Sequence, residues 1–163
     1  MKFAPCLLCI LALGLGASPP AASAHEPLAF NVRVTLSPKA AEKLKATHEG
    51  ITASARYYGD PTPAAVKHAD EVGQIDLGNE QVFLPGRAGP AHFTGRNVTN
   101  NRLGWIKGGV RMNVNVFSSR HSGPDNILAC DFIDDSLATV IKAQPVTLHC
   151  GLITEHPDTL MKP

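Results

Sequence analysis

Strict alternation of apolar and polar residues constrains this chain more than any other feature. Val110, Met112, Val114 and Val116 point one way while Arg111, Asn113 and Asn115 point the other, which is the pattern of a half-buried strand. The same period of two recurs over residues 30–36 and 51–57, and more briefly over 75–77, 81–84, 91–94, 127–132 and 146–153. Glycine and proline pairs separate the runs, and Gly78-Asn79 reads as a hairpin turn. Two short helices interrupt the pattern. One starts at Ser37-Pro38, an N-cap residue followed by proline at the first helical position, and covers 39–46. The other lies near 136–141, where Asp134-Asp135 would favour a helix N-terminus.

Seven or eight short strands with turn residues between them predict one all-β domain with minor helix, a β-sandwich over residues 25–153. In architecture it resembles transthyretin-like or immunoglobulin-like sandwiches, a likeness that carries no activity with it. The short runs, 75–77 among them, are the expected edge strands. Residues 154–163 read as a polar, proline-bounded and loose tail.

The N-terminus reads as an export signal. Lys2 precedes the apolar run from Cys6 to Leu15, Pro19-Pro20 break it, and Ala22-Ser23-Ala24 suits a signal peptidase cutting after Ala24. Neither Cys6 nor Cys9 has the preceding small residues of a lipoprotein site. Cleavage removes Lys2, which leaves 14 basic and 14 acidic side chains. That balance gives no electrostatic reason to expect nucleic acid or an anionic membrane as partner. It also leaves two cysteines, Cys130 and Cys150, each sharing strand parity with apolar neighbours. An even pair in an oxidising compartment predicts a disulfide.

Processing exposes His25 as the new N-terminus. Its α-amino and ring nitrogens form a chelating pair suited to Cu(II). In that one feature the chain resembles exported copper-binding sandwiches and oxidative polysaccharide enzymes. A site would need a second histidine, from among His48, His92, His121 and His149. The histidines otherwise stand singly, with no i, i+4 pair and no zinc spacing. Asp125, Asp131, Asp134 and Asp135 lack the alternating ligands and glycine of a calcium loop.

No GxSxG elbow or phosphate-binding glycine loop is present. Ser118, Ser119 and Ser122 lie near His121, an arrangement that a polar turn also produces. What remains is surface: Arg96, Arg102, Trp105, Arg120 and His121 sit in two loops and are of types that anchor interfaces, although Trp105 equally suits the core. The expectation is an exported, non-enzymatic binding protein of the bacterial envelope, of inhibitor, immunity or accessory type, with another protein as partner and no cofactor. Copper binding through His25 is the second expectation, and a small hydrolase with a site assembled by folding the third.

Overall fold

The computed structural model describes residues 28–163. The expected signal segment, residues 1–24, and the expected new N-terminus His25 lie outside the described residues. Alternation becomes strand where it was read. The strands are β1 (Phe30–Leu36), β2 (Ile51–Pro61), β3 (Ile75–Leu84), β4 (Gly89–Phe93), β5 (Ile106–Ser118), β6 (Leu128–Cys130), β7 (Phe132–Ser136), β8 (Val146–Leu152) and β9 (Met161–Lys162). They form two sheets, ordered β4-β1-β8-β6 and β3-β2-β5-β7-β9. β1 runs parallel to β8 and β7 parallel to β9, while the other neighbours are antiparallel.

The inward parity of both sheets enters one core. Phe30, Val32 and Val34 of β1 and Leu148 of β8 join Ala53, Ala55 and Tyr57 of β2 and Met112 and Val114 of β5. Phe30 bridges the sheets: it stacks on Phe93 at 4.7 Å and meets the edge of Tyr57 at 6.5 Å. Cys130 and Cys150 stand directly opposite on β6 and β8 and are disulfide-bonded, closing a sequence separation of 20.

Helix α1 (Pro38–Thr47) begins as its sequence requires. The Ser37 hydroxyl accepts the Ala40 N–H at 3.1 Å, and Pro38 occupies the first turn. The same hydroxyl donates to Glu155 at 2.6 Å, tying the C-terminal segment to the helix start. Replacing Ser37 by alanine should therefore cost about 1 kcal/mol in urea unfolding. A loss near zero would mean that Pro38 alone sets the helix start.

Four local expectations are corrected. Gly78-Asn79 is not a hairpin turn, because β3 passes through it as one strand of 10 residues. Gly78 uses its positive φ of 113° for a bulge opposite Tyr57 and Tyr58 instead. A glycine suits either geometry, and the length of β2 decides between them. Residues 127–132 are not one strand either: Asp131 turns the corner between β6 and β7, which belong to different sheets. Its buried carboxylate accepts N–H groups from His149 at 3.2 Å and Leu160 at 2.8 Å, and lies 3.5 Å from Lys162. Asp134 and Asp135 belong to β7, and helix α2 (Leu137–Ala143) starts behind them with Ser136 accepting the Thr139 N–H at 3.1 Å. Finally, the polar C-terminal segment is fastened down, through Glu155, through Asp131 and through β9 against β7.

Candidate functional site

The residues singled out as an interface fall at opposite ends of the second sheet. β2 pairs Ile51 with Ser118 at one end and Pro61 with Ile106 at the other. At roughly 3.3 Å per strand residue the two ends stand about 33 Å apart. Arg120 and His121 leave from the first end, Arg102 and Trp105 from the second. At the second end Trp105 is half-buried and stacks on His68 at 4.3 Å. Arg102 donates to the Asp76 carbonyl at 2.9 Å and lies 3.8 Å from the Asp76 carboxylate. Arg96 is exposed close by, next to Gly95 packed on Leu28.

The first end carries the cavity. About 960 Å³ opens between α1, the turn from β3 to β4 and the loop of residues 118–126. Helical spacing brings Ala41, Leu44, Lys45 and His48 to it from one face of α1. β3 and its turn contribute Phe83, Leu84, Pro85, Gly86 and Arg87, and His121 closes the far side. The volume is that of a site able to bury most of a small ligand or a partner's side chains. Phe83 stands at the outward parity of β3 and remains 65 % exposed.

Two left-handed backbone positions shape this rim, and a third lies in the neighbouring loop. Gly86 takes φ of 62° against the Glu49 carbonyl, where a Cβ would collide. His48 (53°) caps the C-terminus of α1, and Arg120 (62°) turns the loop after β5. Glycine is the usual occupant of such positions, and a side chain there costs on the order of 1 kcal/mol.

Glu49 locks the loop to the sheets. It is 4 % exposed, and its carboxylate accepts N–H groups from Gly50 (2.9 Å), His121 (3.0 Å) and Ser122 (2.7 Å), together with the Ser122 hydroxyl at 2.6 Å. Burial by itself would raise its pKa, but the donors from Ser122, His121 and Gly50 overturn that and hold it at about 2. The neighbouring hydroxyls are engaged too. Ser119 shares a hydrogen bond with Thr52 at 2.8 Å, and Ser118 donates to the Asn126 side chain at 3.2 Å. None of these serines bonds the His121 ring.

Charge is arranged differently at the two ends. Near the far end Arg56 lies 2.7 Å from Asp70 and 3.7 Å from Asp76, while Arg111 lies 3.6 Å from Asp134, so cations and carboxylates answer one another. Around the cavity, Lys45, His48, Arg87 and His121 have no carboxylate within ion-pair distance among the described residues. No cluster of three metal-ligating side chains occurs among the described residues.

Of the residues singled out from the sequence, His121 lines the cavity and Arg120 does not, while Glu49, Phe83 and Arg87 line it and were not singled out. Phe83 had a signal, an aromatic at the polar parity of its strand. Glu49 had none, because its loop partners His121 and Ser122 lie 72 and 73 positions away. The chain matches no known family model, no curated protein and no solved structure.

Proposed function

We propose that this is an exported, non-enzymatic binding protein of the bacterial envelope, an inhibitor, immunity or accessory protein that engages another protein with the α1 end of its sheets. The architecture in this reading is a β-sandwich of transthyretin-like or immunoglobulin-like type, which commonly presents recognition loops at its ends. One observation carries the proposal. An exposed aromatic, Phe83, stands beside an apolar cavity whose walls are held in place by the buried Glu49. A rigid wall loses little entropy when a partner arrives, and buried aromatics dominate interface energies. Export is supported by the N-terminal signal pattern and by a disulfide, which persists in oxidising compartments.

The test is affinity capture from envelope extract with the chain that starts at His25. A partner held by the wild type should be lost with Phe83→Ala and kept with Trp105→Ala, which alters the opposite end. A partner lost with Trp105→Ala instead, or no partner at all, overturns the reading. Sequencing the N-terminus of protein recovered outside the cytoplasm should begin at His25.

A further inference from the structure

The cavity joins an apolar floor to a rim carrying two permanent cations. Leu44 and Leu84 supply the floor, the exposed Phe83 stands at its edge, and Lys45 and Arg87 supply the rim. The positive sign is local. Residues 25–163 carry equal numbers of basic and acidic side chains, and the other charged cluster, around Arg56, is internally paired. Glu49 also lines the cavity and is ionised, but it is a single carboxylate, 4 % exposed and engaged by donors from the wall, whereas Lys45 and Arg87 are both exposed and outnumber it.

We infer that the cavity receives an acidic segment of the partner protein: one or two apolar side chains enter the floor while flanking carboxylates meet Lys45 and Arg87. The inference rests on the binding-protein reading above and adds the chemistry of the bound segment. Apolar burial supplies affinity, and the rim supplies orientation and speed of encounter, a contribution that salt screens.

Fluorescence anisotropy on the chain starting at His25 tests it, with a synthetic peptide of two leucines flanked by glutamates as probe. The acidic peptide should bind, and binding should weaken about tenfold between about 50 and 500 mM salt. Lys45→Ala with Arg87→Ala should weaken it at least about fivefold, while Arg102→Ala at the far end leaves it unchanged. A lysine-flanked or leucine-to-serine peptide that binds equally well overturns the inference. So does binding of decanoate without binding of the peptide, which would assign the cavity to a small amphiphile. Failure of the acidic peptide in an experiment where Phe83→Ala still loses the natural partner removes this inference alone. Retention of that partner by Phe83→Ala removes the binding-protein reading itself.

Discussion

Replacing Glu49 by glutamine is expected to destabilise the protein by about 2–4 kcal/mol, because it sets a donor where the wall presents three backbone N–H groups. Glutamine keeps one acceptor oxygen and points an amide NH₂ at either the Gly50 and His121 N–H groups or the Ser122 N–H and hydroxyl. The Ser122 hydroxyl can rotate to accept, but at least one backbone N–H is left facing a donor. Ionisation adds a pH signature. The carboxyl titrates near 2 in the folded protein against an ordinary 4.5, so the folded state favours the charged form. That stabilisation is fully present above about pH 4.5 and is lost as pH falls through about 2. Urea unfolding followed between pH 2 and 6 should show the wild type losing stability across this window and Glu49→Gln losing less. A variant with wild-type stability, or a wild type indifferent to pH below 4.5, would show that the loop is held by other contacts. Hydrogen exchange at His121 and Ser122 should rise in the variant, and binding at the cavity should weaken with it.

Removing the disulfide is expected to cost about 3 kcal/mol, the chain-entropy value for a closed loop of about 20 residues. Cys130→Ala with Cys150→Ala is the cleaner form of the experiment, since a single replacement leaves a reactive thiol. The effect should be concentrated in β6, an edge strand of three residues whose pairing is with β8. Faster exchange at Leu128 and Ala129 should precede global unfolding, and the urea midpoint should fall. A loss below about 1 kcal/mol would mean that residual structure in the unfolded chain already restricts the segment between the two cysteines, leaving the bond little freedom to remove.

Much of the fold was legible because it is written locally. The parity of Val110, Met112, Val114 and Val116 names the face that enters the core, since successive side chains of a strand point to opposite sides. Ser37 and Ser136 name the helix starts through hydroxyls that reach only three residues forward. Where reading went astray, a local signal allowed two outcomes. Gly78 suited a turn and a bulge alike, and the polar Asp131 inside an apolar run suited an exposed strand residue as well as a buried corner.

The site is a different case. Arg120 and His121 were legible by type, but their grouping with Arg96, Arg102 and Trp105 was not correct as one surface, because β2 and β5 hold the two loops a full strand length apart.

By itself the sequence determined the alternation of the strands, the helix caps, and the pairing of the only two cysteines after residue 24. Each depends on neighbours within a few positions or on composition. Tertiary structure alone decided that Glu49 meets residues 121 and 122, that α1, the turn at Gly86 and the loop after β5 enclose one cavity, and that Lys45 and Arg87 beside it have no ion-pair partner among the described residues. Those contacts join residues far apart in the chain, and their geometry is set by how two sheets share a core, which no window of sequence contains.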